Sequence, residues 1–247
     1  MDGIVAHYAL FLLATFAAAL VAGLAGFAFG LIAAAIWLHV LTPLESATLI
    51  VAFGLIVQGV AVWKLRRALD WSRLWPFLLG AAFGVPLGVA ILGFADPRQV
   101  QVGVGVFLIL FSTYSLARPK LGQVPSSVAL DAGAGFLNGV LGGITGLAGI
   151  LVVIWCTLRG WSRDAQRAVF QPVGVATFAM VALWLGARGA ISASAVKLFL
   201  IGLPVLLAGT WLGLKLYGKL DEAGFRRIVL VLLALSGVLL TAQFWRS

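Results

Sequence analysis

Charged side chains are scarce in this chain. It has 247 residues but only 17 lysines and arginines and 8 aspartates and glutamates, where a soluble domain of this length carries about 60 charges. Hydrophobic residues make up 62% of the chain, and the mean hydropathy is +1.11. These values exclude a water-soluble enzyme or binding module and indicate an integral membrane protein.

Cysteine and histidine are almost absent as well. Cys156 is the single cysteine, so it cannot form an intramolecular disulfide. The two histidines, His7 and His39, do not make a metal-ligand cluster, and the sequence contains no Gly-x-Ser-Gly serine motif. We therefore expect no cofactor, no metal centre and no enzymatic activity.

Long uncharged stretches dominate what is present. An α-helix crosses a bilayer with about 20 apolar residues, and six of the stretches suit single crossings. Two are longer and are interrupted by small residues, over 23–30 in one and 139–149 in the other, which predicts paired helices or re-entrant hairpins. The stretches are residues 3–44, 46–63, 74–95, 99–117, 132–158, 168–187, 198–214 and 228–245.

The chain also shows signs of an internal duplication. The string Gly-Leu-Ala-Gly occurs at 23–26 and again at 146–149, which is 123 residues later. Three further residues recur 125 positions later with both spacings kept: Gly84, Gly88 and Asp96 match Gly209, Gly213 and Asp221. The collinear order of these matches predicts two repeats, residues 1–120 and 121–247, within one integral membrane domain.

The basic residues predict the orientation, because lysine and arginine collect in cytoplasmic loops. If each glycine-broken segment enters and leaves on the same side, 13 of the 17 basic residues are cytoplasmic and 4 are periplasmic. If the second broken segment crosses once, the ratio falls to 9 against 8. The first arrangement gives each repeat an odd number of crossings, so the repeats must be inverted. The residues then outside are Arg98, Arg188, Lys197 and Arg246.

This arrangement also explains the net charge of +9. In a soluble chain such a charge would suggest nucleic acid, whereas here it reflects membrane orientation. We predict an all-α polytopic membrane protein of two inverted repeats, each with a glycine-broken segment and three transmembrane helices. Both termini are predicted to be periplasmic, and Asp2 before the first stretch indicates a membrane segment rather than a cleaved signal. Secondary transporters share this construction, with the substrate near the bilayer midplane between the repeats.

The broken segments carry the candidate substrate site. A helix that begins near Gly26 or Gly146 presents unpaired N–H groups and a positive dipole end, which favour a small anion. Asparagine, glutamine and threonine donate hydrogen bonds to oxyanions without the desolvation cost of a full charge. Helix packing is the alternative role for these residues. The candidate ligands are Gly23, Gly26, Gly30, Gln58, Asn138, Gly142, Gly143, Thr145, Gly146, Gly149 and Gln171.

Four residues beside the breaks are candidates for a gate or mouth. Trp37 and Trp155 follow the two breaks at similar distances and could line a cavity, although tryptophan more often lies in the interfacial aromatic belt. Arg167 could attract anions at a cytoplasmic mouth or be an ordinary positive-inside residue. Pro172 could act as a hinge beside Gln171.

Three carboxylates lie nearest to the predicted core. Glu45 and Asp164 begin spans, and we expect them to cap helices. Asp131 could serve proton coupling, but a helix-start carboxylate at the interface is the simpler expectation.

The sequence resembles the sulfite exporter TauE/SafE family over essentially the whole chain. The resemblance rests on the glycine-rich break at 23–30 followed by an apolar run and Pro43, on the second copy at 139–149, and on the duplicated length. The family implies bacterial inner-membrane proteins that move sulfur-containing and organic anions, including sulfite, sulfoacetate and related sulfonates. The first break differs from the usual family pattern because Phe27 and Phe29 make it more aromatic.

The resulting hypothesis is a secondary transporter that exports a small oxyanion through a midplane site between inverted repeats. A passive anion channel and an importer of a sulfur-containing or organic anion stay open as alternatives, as does a scaffolding subunit of a membrane complex. The expected partners are the anionic substrate and the lipid bilayer, not nucleic acid, and a homodimer is compatible with the glycine-rich surfaces.

Overall fold

The computed structural model describes residues 2–25, 28–65, 69–117, 124–125, 127–216 and 222–244. Ten α-helices and no strand are present in these ranges, which confirms the all-α prediction. They are α1 (Asp2–Ala25), α2 (Phe29–Trp37), α3 (Pro43–Leu65), α4 (Trp71–Phe94), α5 (Pro97–Ala117), α6 (Val128–Thr145), α7 (Ile150–Leu158), α8 (Arg163–Ala187), α9 (Ala193–Leu216) and α10 (Glu222–Phe244).

Seven of the described helices are long and apolar enough to cross a membrane, namely α1, α3, α4, α5, α6, α8 and α9. In α10 the apolar part is shorter, Val229–Ala242. Helices α2 and α7 have 9 residues each, or about 14 Å, which is less than half of the hydrocarbon thickness. Each glycine-broken stretch is therefore a long helix followed by a short one.

Local capping explains where two of the long helices begin. At α3 the Thr42 hydroxyl accepts the Glu45 N–H, and a carboxylate oxygen of Glu45 accepts the Thr42 N–H at 3.3 Å, which is a capping box. The capping role predicted for Glu45 is confirmed. Ser162 caps α8 by accepting the Ala165 N–H, whereas the side chain of Asp164 lies outside the described residues.

The helices form two compact units. The first unit comprises Met1–Ser46, Ala95–Pro119 and Ala193–Ser247, and the second comprises Ala47–Phe94 and Lys120–Ser192. Each unit contains segments from both halves of the sequence, so the compact units differ from the repeats. The repeat boundary near residue 120 stays a prediction.

Glycines bring the helix pair α4 and α6 into backbone contact within the second unit. A β-carbon at Gly84 would lie 2.1 Å from the carbonyl oxygen of Phe136, and one at Gly88 would lie 2.9 Å from Cα of Gly143. Real β-carbons do not approach other atoms so closely. Only glycine therefore allows this packing, as in small-xxx-small contacts between membrane helices.

The helix pair α9 and α1 makes the same contact within the first unit. A β-carbon at Gly209 would lie 2.8 Å from the carbonyl oxygen of Phe16, and one at Gly213 would lie 2.9 Å from Cα of Gly23. These residues match those of the α4–α6 pair at constant offsets, 125 residues for the first helix and 120 for the second. The equivalence supports duplication, while the inverted orientation stays a prediction.

The offset of 120 corrects one of the matches made between the two halves of the sequence. It places Gly23 opposite Gly143, so the two Gly-Leu-Ala-Gly strings are not structural equivalents. Residues 23–25 belong to the end of α1, whereas the second string at 146–149 is the link between α6 and α7. Glycine is common at both places for different reasons, helix packing in one and backbone conformation in the other.

Candidate functional site: the break between two helices

The link between α6 and α7 is built on two glycines with left-handed backbone. Gly146 has φ of 75° and Gly149 has φ of 92°, a region that other residues rarely adopt. A β-carbon at Gly146 would also lie 2.9 Å from the carbonyl oxygen of Ala47. The sequence therefore breaks the helix here for conformational and steric reasons together.

Asn138 holds this link in place. Its Oδ1 accepts the N–H of Gly149 at 2.8 Å, and its Nδ2 donates to Oγ1 of Thr177 at 3.4 Å. Asn138 is fully buried, so its amide ties the start of α7 to α6 and α8. Asn138 belongs to the predicted site, but its polar atoms are engaged within the protein.

Thr145 is engaged in the same way. Its hydroxyl donates to the carbonyl oxygen of Leu141 at 2.7 Å and accepts the N–H of Leu147 at 3.1 Å. The side chain therefore shapes the turn that follows α6.

The beginning of α7 offers unpaired hydrogen-bond donors. The first intrahelical bond runs from the N–H of Val153 to the carbonyl oxygen of Gly149, at 2.9 Å. The N–H groups of Ile150, Leu151 and Val152 consequently have no acceptor among the described residues. A helix N-terminus of this kind carries a partial positive charge and attracts anions.

Two glutamines from neighbouring helices belong to the same region. Gln171 on α8 is 5% exposed, and the preceding residue, Phe170, has its carbonyl oxygen 3.5 Å from where a β-carbon of Gly149 would lie. A β-carbon at Gly174 would lie 2.6 Å from Oε1 of Gln58 on α3 and 3.9 Å from the carbonyl oxygen of Ala148. The part of α8 that carries Gln171 therefore borders the break, and Gln58 packs against the same part of α8 at Gly174.

The amide oxygens of these glutamines are unusual. Oε1 of Gln58 and Oε1 of Gln171 are enclosed, and neither accepts a hydrogen bond from the described part of the chain. An enclosed polar atom without a partner destabilises a fold by about 1–3 kcal/mol. Such groups call for an explanation in ligand binding or ordered water.

The other predicted glycine ligands have different positions. Gly23 and Gly143 lie in the helix packing described above, and a ligand role for them stays a prediction. A β-carbon at Gly142 would lie 3.0 Å from Cγ2 of Thr177. Gly30 lies in the first turn of α2, and Gly26 lies outside the described residues.

The four predicted gate residues lie in different surroundings. Trp37 is fully buried and stacks on Phe11 with ring centroids 5.2 Å apart; a ring without exposed surface cannot lie among lipid headgroups, so the interfacial interpretation is wrong for Trp37. Trp155 donates its indole N–H to Asp131 at 2.7 Å. Arg167 and Pro172 are both half-buried in α8, which continues unbroken through the proline.

The two breaks differ in polarity. The short helix of the first unit begins after Ala28, which has φ of 78°, and it packs through aromatic residues, with Phe29 at 6.0 Å from Trp37. The break in the second unit is instead bordered by amide and hydroxyl groups. Among the described residues, the amide and hydroxyl side chains that border a break, Asn138 and Thr145, belong to the second unit.

The ends of the second broken segment meet. The N–H of Val124, before α6, donates to the carbonyl oxygen of Leu158 at the end of α7, at 3.1 Å. Arg159 lies 3.7 Å from Asp131 in the first turn of α6. The two ends of the broken segment therefore lie together, which is compatible with both predicted forms, paired helices and a re-entrant hairpin. Thr177, Asp131 and Arg159 were not predicted as site residues, because only tertiary packing brings them to the break.

Long apolar helices and a broken helix pair with a polar link define the class, a polytopic membrane transporter. The sequence matches the family described as Sulfite exporter TauE/SafE over residues 11–240, and the chain belongs to this family. It is also 27% identical over 182 residues to the "Probable inner membrane transporter protein TsaS" of Comamonas testosteroni, with 73% of this chain and 76% of that protein covered. No solved structure matches the chain.

Proposed function

We propose that this transporter exports a small oxyanion, such as sulfite, sulfoacetate or a related organosulfonate, by alternating exposure of the α6–α7 break. One observation carries the proposal. The N–H groups of Ile150, Leu151 and Val152 at the start of α7 have no acceptor among the described residues, so they can donate hydrogen bonds to an oxyanion. Gln171 is buried in α8 next to Phe170, whose carbonyl oxygen lies against the link at Gly149.

The chemistry of the site favours an anion that accepts many hydrogen bonds. A helix N-terminus is equivalent to about half a positive charge, and the amide N–H groups of Gln58 and Gln171 add neutral donors. A sulfite or sulfonate group has three oxygens, each able to accept more than one hydrogen bond. Neutral donors bind such a group while still allowing its release, because no full countercharge must be separated from it.

The membrane potential supports export as the direction. Moving one negative charge out of a cell with a negative interior is favourable by about 2.3 kcal/mol per 100 mV, which is about a 50-fold gradient at equilibrium. Export therefore needs no coupling ion. We place the protein in the inner membrane with both termini periplasmic.

Basic side chains support this orientation. The guanidinium carbons of Arg73 and Arg159 lie 5.5 and 5.4 Å from the ring centroid of Trp161. Both arginines belong to the set assigned to the cytoplasm from the sequence. Their contact with one indole supports the assignment of both to a single side.

The function is tested with purified protein in liposomes. Labelled sulfite, sulfoacetate, taurine and acetate are compared for initial flux over a range of concentrations, with the membrane potential set by a potassium gradient and valinomycin. We expect saturable flux of sulfite or sulfoacetate that accelerates when the anion leaves a negative compartment. Taurine should move more slowly, because its ammonium group is repelled by the positive end of α7.

Other outcomes contradict the proposal. Flux that rises without saturation would identify a passive anion channel. Absence of flux for sulfite, sulfoacetate and acetate would refute oxyanion transport, and faster flux into a negative compartment would refute export.

A further inference from the structure

The short helix α7 is fastened at the end opposite its unpaired N–H groups. The indole N–H of Trp155 donates to Oδ1 of Asp131 at 2.7 Å, and Nη1 of Arg159 lies 3.7 Å from the same oxygen. Arg159 also donates to the carbonyl oxygen of Pro125 at 2.7 Å. The side chains of Arg159 and Asp131 are only 7% and 12% exposed. We call Asp131, Trp155 and Arg159 the clamp.

The charges of the clamp match the two helices that it joins. Asp131 lies in the first turn of α6, near the positive end of that helix dipole. Arg159 follows the last residue of α7, near the negative end of that dipole. Each charge is therefore favourable at its own helix end as well as toward its partner. A buried ion pair needs such additional contacts to offset its desolvation.

A nine-residue helix needs this kind of support. Helices shorter than about 12–15 residues are marginal in isolation, so tertiary contacts determine where α7 lies. At its beginning, the described side-chain contact is the hydrogen bond from Gly149 to Asn138. The clamp supplies the contacts at the other end.

The first unit has an apolar contact at the equivalent place. The offset of 120 that relates α1 to α6 places Phe11 opposite Asp131, and Phe11 stacks on Trp37, the last residue of α2. A contact from the long helix to the end of the short helix therefore occurs in both units. Among the described residues, the second unit uses an ion pair for this contact and the first unit uses stacked aromatic rings.

We infer that the clamp positions the unpaired N–H groups of α7 for anion binding, so that Asp131, Trp155 and Arg159 are positioning residues for transport. This inference rests on the proposed function, since it assigns those N–H groups to the transported anion. It gives Asp131 a role other than proton coupling. The clamp touches no substrate and acts through the placement of α7.

The test replaces Trp155 with phenylalanine, which keeps an aromatic ring and removes the N–H donor. The half-saturating sulfoacetate concentration and the maximal rate are measured in liposomes. The rate at which a membrane-permeant maleimide labels Cys156 is measured without anion. Cys156 is the single cysteine of the chain, is fully buried and follows Trp155 directly, so its labelling reports release of α7.

The W155F variant should raise the half-saturating concentration by about tenfold, as expected for loss of one hydrogen bond to a charged group. The maximal rate should stay within about twofold, and Cys156 should be labelled faster. Asp131→Asn, which keeps an oxygen for Trp155 and loses the charge opposite Arg159, should change both measurements in the same direction. The matched control is Trp184→Phe on α8, where the tryptophan is 41% exposed, and it should change neither.

Two outcomes overturn the inference. Wild-type half-saturation in W155F would show that the clamp does not set anion binding, and unchanged Cys156 labelling in both clamp variants would show that it does not hold α7. If the wild-type protein itself moves no anion, the proposed function fails, and labelling alone then decides whether the clamp holds α7.

Discussion

Gln171 is the residue at which stability and transport should respond in opposite directions. Replacing it with methionine keeps the side-chain length and removes an amide oxygen that is enclosed without a donor among the described residues. If the amide serves the anion rather than the fold, Gln171→Met relieves a desolvation penalty in the empty protein. The same change removes a hydrogen-bond donor from the bound anion.

Both magnitudes follow from the burial of this side chain. An enclosed polar group without a partner destabilises the fold by about 1–3 kcal/mol, and 1 kcal/mol corresponds to about 2–4 °C in Tm for a chain of this size. Gln171→Met should therefore raise Tm by about 2–12 °C. Loss of a hydrogen bond to a charged group, about 1.5–3 kcal/mol, should raise the half-saturating anion concentration by about 10- to 150-fold.

The assay for stability uses the buried thiol of Cys156. Detergent-solubilised protein is heated with a maleimide that fluoresces when it reacts, so the thiol reports unfolding. The half-saturating sulfoacetate concentration is measured in liposomes with the same protein. Gln101→Met is the matched control, because Nε2 of Gln101 donates to the buried carbonyl oxygen of Leu38 at 3.0 Å. This control should lower Tm by about 1–6 °C, because it loses a satisfied hydrogen bond that stabilises the fold by about 0.5–1.5 kcal/mol.

One pattern of results would refute the reasoning. If Gln171→Met lowers Tm and leaves the half-saturating concentration unchanged, Gln171 is a structural glutamine and the anion site lies elsewhere.

Three further predictions concern the fold that holds this site. Gly135→Ala should lower the free energy of unfolding by about 1–3 kcal/mol through overpacking, because its β-carbon would lie 2.2 Å from a backbone oxygen of α4. Gly133→Ala in the same helix meets nothing within 4 Å and should raise Tm slightly, and equal effects of the two changes would contradict the packing argument. Asn138→Ala should leave the N–H of Gly149 unpaired and lower stability by about 1–3 kcal/mol, with a parallel loss of flux, and normal thermal stability would show that Asn138 does not hold the link. Glu45→Ala should weaken the start of α3 by about 0.5–2 kcal/mol without altering half-saturation, and a changed half-saturation would place Glu45 in the transport path.

Two neighbouring glycines have different structural roles that the sequence does not distinguish. Gly143 and Gly146 are three residues apart in one glycine-rich run, and no sequence signal distinguishes them. Gly143 allows α4 to approach, since a β-carbon there would lie 2.7 Å from the backbone nitrogen of Val89, whereas Gly146 adopts a φ of 75° that ends α6. The first role depends on a helix more than 50 residues away in the chain.

The sequence alone determined the membrane class, the long apolar helices and the positions of the two breaks. These features are local, because transfer of a side chain into lipid depends on that side chain and because glycine weakens a helix wherever it occurs. Tertiary structure decided which polar groups meet, such as Asn138 with Thr177 and Asp131 with Arg159. Such contacts join residues that are distant in the chain, and their free energy depends on the partner that packing supplies.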